Sequence, residues 1–143
     1  MTINEKQDEL IDDFAFLTDW MDKYEYIIRL GKELPVIDAK YKQDKYLIKG
    51  CQSQVWLHAE LKDGRVYYTA DSDAIISKGL VSLIIQVLSG YTPREIIDSN
   101  LYFIDEIGLK EHLSPTRSNG LVSMIKQMKL YAVAFDSAKK VNS

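Results

Sequence analysis

There is no second cysteine. Cys51 is the only thiol in 143 residues, which excludes an internal disulfide and suits a reducing compartment. Histidine is nearly as scarce, with His58 and His112 alone. A structural zinc site or an iron–sulfur cluster needs several Cys and His ligands. This chain does not supply them, so neither a bound metal nor a cofactor is expected. The seven glycines form no P-loop or dinucleotide spacing. There is no basic surplus: the net charge is −3, which argues against nucleic acid as a partner. No apolar run approaches the ~20 residues that span a bilayer. The start, Met1-Thr2-Ile3-Asn4-Glu5, lacks the basic-then-apolar order of a secretory signal. These absences predict a cytoplasmic protein with no membrane association. The length suits a single domain, residues 1–143, with one sizeable core.

What is present reads as helices around a small sheet. Thr2 and Glu5 fit a capping box, and Leu10, Ile11, Phe14 and Leu17 follow at helical spacing. Thr18-Asp19 can cap a second helix with a buried stripe of Met21, Tyr24, Ile27 and Ile28, ended by Gly31. The short link predicts that this pair lies antiparallel. Leu34-Pro35-Val36 reads as extended, and residues 38–44 as loop. Tyr46-Leu47-Ile48 is a short strand candidate. Val55 to Leu61 alternates apolar and polar, Asp63-Gly64 is a two-residue hairpin turn, and Arg65 to Ala70 returns. This register pairs Leu61 with Val66, Ala59 with Tyr68 and Leu57 with Ala70. The opposite face carries Glu60 with Tyr67 and His58 with Thr69, and is expected to be solvated. His58 accordingly reads as a surface residue, and His112 as a capping or packing one.

A third helix follows Asp71-Ser72-Asp73, with Asp73 as its cap. Ile75, Ile76, Leu80, Leu83, Ile84, Val87 and Leu88 make it apolar almost all round, as a central helix is. Gly79 inside it costs about 1 kcal/mol against Ala and marks a close backbone approach. The Cys51 loop and a second helix are equal candidates for the approaching partner. Gly90 ends this helix, and Thr92-Pro93-Arg94-Glu95 opens a short one. Residues 101–113 form short helical pieces around Gly108. The last helix starts at Ser114-Pro115, with a stripe of Leu121, Met124, Ile125, Met128, Ala132 and Phe135. Fraying is expected from Lys139 onward. The fold class is α+β: a three-stranded antiparallel sheet covered on one face by helices.

Gly50-Cys51-Gln52-Ser53-Gln54-Val55-Trp56 stands between the first two expected strands. On spacing alone a lone cysteine reads first as a small buried hydrophobe. The motif, however, resembles the active-site segment of the SufE family, the cysteine desulfuration proteins. Lys23-Tyr24-Glu25-Tyr26-Ile27-Ile28 with Leu34-Pro35 is similar to that family too. So are Asp71-Ser72-Asp73-Ala74 with Lys78-Gly79-Leu80, and His112-Leu113-Ser114-Pro115-Thr116-Arg117-Ser118-Asn119-Gly120-Leu121. In order, these segments cover nearly the whole chain.

The resemblance implies an architecture shared by SufE and the scaffold IscU. It implies that Cys51 accepts a persulfide sulfur from a pyridoxal-phosphate-dependent cysteine desulfurase (SufS-like), stimulates that enzyme, and relays sulfur to an iron–sulfur scaffold complex. It implies partner contacts at Gly50, Gln52, Ser53, Gln54, Asp71, Asp73 and Arg117. The alternative from another class is a non-catalytic adaptor that only activates the desulfurase. A cysteine hydrolase would need His58 or His112 beside the thiol. Monomer and homodimer both stay open. Val55 and Trp56 are the expected apolar shelter for the thiol.

Overall fold

The structure, a computed structural model, describes residues 1–141, with side chains to residue 138. Of the fraying expected from Lys139, the part at 142 and 143 lies outside the described residues. Helix α1 spans Ile3–Ala15, and both hydrogen bonds of the Thr2–Glu5 capping box form. Helix α2 spans Trp20–Lys32, with the Asp19 carboxylate accepting from the Asp22 N–H. Gly31 does not end this helix; it lies inside it, at a crossing described below. Helix α1 packs mainly on later helices and meets α2 where Phe14 and Tyr26 pack edge to face at 5.1 Å.

Strands β1 (Val55–Lys62) and β2 (Arg65–Ser72) form an antiparallel ribbon. Its register is the expected one, Leu61 with Val66, Ala59 with Tyr68 and Leu57 with Ala70. Asp63 and Gly64 have φ of 53° and 77°, the left-handed pair that a two-residue hairpin demands. The expected third strand is reduced to one bridge, in which the Ile48 N–H donates to the Val55 carbonyl at 2.9 Å. Residues Asp44–Tyr46 instead form a 3-10 turn, and Lys49-Gly50 turn away into the Cys51 loop. Too little extended chain remains for a ladder. Tyr91 likewise makes a single bridge to the far edge at Val66.

Helix α3 (Ile75–Leu88) is the buried centre. It packs on β2 and crosses α2, where Gly31 and Gly79 face each other. A Cβ on Gly79 would lie 2.3 Å from the Ile27 carbonyl oxygen. The close approach that Gly79 marks is therefore made by α2 and not by the Cys51 loop. Helix α4 (Pro93–Asp98) has its capping box formed by Thr92 and Glu95. Helices α5 (Phe103–Ile107) and α6 (Leu109–His112) are split by Gly108 at φ 82°. The fully buried Gln7 braces this region, donating to the Asn100 carbonyl and accepting from the Phe103 N–H.

Helix α7 (Pro115–Val141) closes the fold. The Tyr68 hydroxyl donates to the Met128 carbonyl at 2.6 Å, and the Tyr131 hydroxyl to the Leu57 carbonyl at 3.1 Å. These two bonds fix α7 to the apolar face of the ribbon. The other face is solvated at Glu60, Tyr67 and Thr69, as expected, but not at His58. His58 is half-buried: Tyr41 stacks on it at 3.6 Å and Tyr46 meets it edge-on at 5.6 Å. Tyr41 and Tyr46 of the preceding segment thus cover this one imidazole.

Candidate functional site

Cys51 lies on the loop between the Leu47–Ile48 bridge and β1, at one wall of a cleft of about 190 Å³. Gln52 and Ser53 continue that wall. The first turn of α3 and Leu80 form the second wall; Thr116, Arg117, Gly120 and Met124 of α7 form the third. Gly50 lets the loop approach α7. Its φ is +93°, and a Cβ there would lie 2.4 Å from Ser123 Oγ. Any L side chain at this position would meet strain and a clash together.

The thiol is half-buried and donates weakly to the Gly120 carbonyl, Sγ to O at 3.6 Å. A Cβ on Gly120 would stand 3.6 Å from Sγ, an ordinary van der Waals contact, so the sulfur lies directly against this turn of α7. Leu80 and Met124 supply the apolar surface of the cleft that Cys51 lines, and Val55 and Trp56 are not part of that lining. Val55 is buried within the ribbon core, and Trp56 lies under the Lys42 ammonium at 5.0 Å. Burial pushes the Cys51 thiol above its ordinary pKa, because a thiolate loses hydration there. At neutral pH the resting form is the protonated thiol. Alkylation of Cys51 as a function of pH should therefore show a midpoint above that of a free cysteine peptide. A midpoint below the free value would reverse the sign of this environment.

Arg117 sits in the first turn of α7, where its backbone N–H donates to Ser114 Oγ at 3.3 Å. Its side chain is exposed and has no ion-pair partner among the described residues. A cation in the first turn opposes the helix dipole, so the helix itself does not call for it.

Asp71 and Asp73 do not line the cleft. Asp71 is held by Lys42 at 3.0 Å and Lys78 at 3.3 Å. Burial works against its charge, but Lys42, the Ser72 N–H and Lys78 outweigh it and keep the carboxyl below its ordinary range. Asp73 is not the cap of α3. Ala74 takes that position with no side-chain bond, and the Asp73 carboxylate accepts from the Gln54 N–H at 3.0 Å. Asp73 thus braces the base of the Cys51 loop, while Asp71 ties Lys42 to Lys78 at the end of β2. Gln52 and Gln54 are exposed.

Neither histidine lines the cleft. His58 is held in its tyrosine stack, and His112 stacks on Trp20 at 3.8 Å with Nδ1 on the Gly108 carbonyl at 3.1 Å. No imidazole base is available to the thiol among the cleft residues. No group of three or more metal-ligating side chains occurs among the described residues. No described helix is long and apolar enough to cross a membrane.

Ser77 lines the cleft unannounced by any motif. The available signal was a small polar residue on the first turn of a mostly apolar helix.

Comparison with known proteins places this geometry. The family model SufE, described as an Fe-S metabolism associated domain, matches residues 8–132. An uncharacterized SufE-like protein of Rhizobium meliloti is 44% identical over 128 residues, covering 85% of this chain and 91% of that protein. An uncharacterized SufE-like protein of Synechocystis is 40% identical over 127 residues, covering 89% and 80%. The solution structure of a hypothetical protein from Thermus thermophilus superposes with a TM-score of 0.75 at 18% identity, over 96% of this chain and 97% of that one. It shares the α+β fold. By the extent of the family match and the identity of these relatives, the chain belongs to the SufE family of Fe-S metabolism associated domains.

Proposed function

We propose that this chain, as one domain of residues 1–143, carries sulfur for iron–sulfur cluster assembly in the reducing cytoplasm. A pyridoxal-phosphate-dependent cysteine desulfurase (SufS-like) hands a persulfide sulfur to Cys51, is stimulated by the exchange, and an assembly scaffold complex receives it. The observation that carries this reading is a lone thiol in a cleft that is lined by no histidine or carboxylate and that holds an arginine without an ion-pair partner among the described residues. Hydrolysis needs a base beside the nucleophile; sulfur exchange does not. The Cys51 thiolate attacks the outer sulfur of the donor persulfide. A new S–S bond forms to Cys51, the donor S–S bond breaks, and the donor cysteine leaves as thiolate. The electrons balance without an added oxidant.

The half-buried thiol suits a carrier. Half-buried in its cleft, the thiol rests protonated, which lowers its reactivity toward oxidants and disulfides. Transfer requires the loop to present Sγ to the partner, where a cation can favour the thiolate. Gly50, Gln52, Ser53, Gln54 and Arg117 form or flank the face that the partner would meet, with Asp73 holding the loop at Gln54 and Asp71 nearby, paired with Lys42 and Lys78. Incubation with a desulfurase and cysteine should add one sulfur atom by intact mass, removable by reductant. A wild-type chain that gains no sulfur from any such enzyme overturns the reading.

Arg117→Ala should weaken desulfurase binding or stimulation while leaving the melting temperature nearly unchanged. An exposed arginine contributes little to stability, and charged groups at an interface govern encounter with the partner. A melting temperature that collapses while partner affinity holds would make Arg117 structural.

A further inference from the structure

The loop bearing Cys51 is fastened at two places. At its C-terminal end Gln54 is bound through its backbone. Its N–H donates to Asp73 Oδ1 at 3.0 Å, and its carbonyl accepts from Ser72 Oγ at 2.8 Å and the Asp73 N–H at 3.2 Å. Closer to the thiol, Ser53 Oγ and Ser77 Oγ lie 2.7 Å apart. The contact made by Cys51 itself, a thiol to a carbonyl at 3.6 Å, is weak by its chemistry. Gln52 between them is exposed.

Ser77 is 8% exposed on the first turn of α3. Within α3 the other buried polar residue is Ser82, whose hydroxyl donates to the Leu30 carbonyl of α2. That bond serves helix packing. The Ser77 hydroxyl instead crosses to Ser53 of the loop that carries Cys51.

We infer that Ser53 and Ser77 form a clasp that sets how often the Cys51 loop opens. Ser77 is thereby a positioning residue for the thiol, acting through the loop. The importance of this clasp for sulfur transfer rests on the function proposed above; its existence does not. When the loop opens, the two hydroxyls exchange each other for water. The net strength of one neutral hydrogen bond then corresponds to about a fivefold change in the open fraction.

Iodoacetamide alkylation of Cys51 in the folded protein, with no desulfurase present, tests the clasp. Ser77→Ala and Ser53→Ala should each react about fivefold faster than wild type. The double variant should be no faster than either single one, because both substitutions remove the same bond. In denaturant far below the unfolding midpoint the rates should rise only shallowly, since local opening exposes little surface. Wild-type rates in both single variants, multiplied effects in the double one, or a denaturant slope equal to that of global unfolding would each overturn the clasp. With a desulfurase and cysteine, sulfur uptake should quicken in the same variants. Faster alkylation with no sulfur uptake by any form, wild type included, supports the clasp and overturns the transfer reading.

Discussion

Cys51→Ser should abolish sulfur uptake altogether while the fold and partner docking persist. Cys51 is the only thiol in the chain, so a covalently carried sulfur has no other place to reside. A serine hydroxyl cannot replace it, because at neutral pH it is neither ionised nor able to form a stable bond to sulfane sulfur. The structural cost is small. The new hydroxyl faces the Gly120 carbonyl that the thiol now meets and borders an open cleft, so it need not be buried unpaired. A change of under about 1 kcal/mol is expected. The proposed docking face spreads over the loop and the start of α7, and one atom among many contacts is rarely decisive. Intact mass, unfolding and desulfurase binding read these three properties separately. An adaptor that only activates its partner gives the reverse pattern: no sulfur on the wild type and full stimulation by Cys51→Ser. That result would make Cys51 a bystander.

The parts of this fold legible in the sequence are those set by local chemistry. Asp63-Gly64 fixes the hairpin, because two consecutive left-handed residues leave one register for the alternating strands. Thr2 with Glu5 and Thr92 with Glu95 announce helix starts, because each pair satisfies two orphan donors at once. Local signals misled where a remote group intervened. Asp73 has the right chemistry to cap α3, but its carboxylate is taken by the Gln54 N–H. Gly31 has the right chemistry to end α2, but its missing side chain is used for contact with α3. Tyr46-Leu47-Ile48 has strand composition, but Tyr46 turns back with Tyr41 onto His58. Nothing periodic in residues 38–46 could have shown that stacking. The candidate site divides in the same way. The loop with Cys51 between Gly50 and β1 is a local feature. The meeting of that loop with Arg117 and Gly120 across the cleft is not. It follows from how α7 lies on Tyr68 and Leu57, and only the resemblance of separate segments to one family pointed to it.

Gly79→Ala should destabilise the protein, against the direction that helix propensity predicts. In a free helix this substitution gains about 1 kcal/mol, because Ala is the better helix former. At the α2–α3 crossing the added Cβ would lie 2.3 Å from the Ile27 carbonyl oxygen and 2.5 Å from its Cγ2. The first of these is backbone in the middle of a helix and cannot rotate aside. Gly31 repeats the constraint from the other side, since its Cβ would stand 2.7 Å from the Gly79 amide nitrogen. Relief requires the two helices to separate, and such overpacking costs more than the propensity returns. The net loss should be about 2 kcal/mol, seen as a fall in melting temperature of roughly 5–10 °C. Gly31→Ala should act in the same direction. The effect should reach the cleft too, because Ser77 and Leu80 flank Gly79 on α3 and line the cleft beside Cys51. A shift of α3 would loosen the wall that shelters the thiol and quicken its alkylation. An Ala variant at position 79 that is as stable as wild type or more so would show that the crossing yields freely, and that the two glycines do not hold α3 in place.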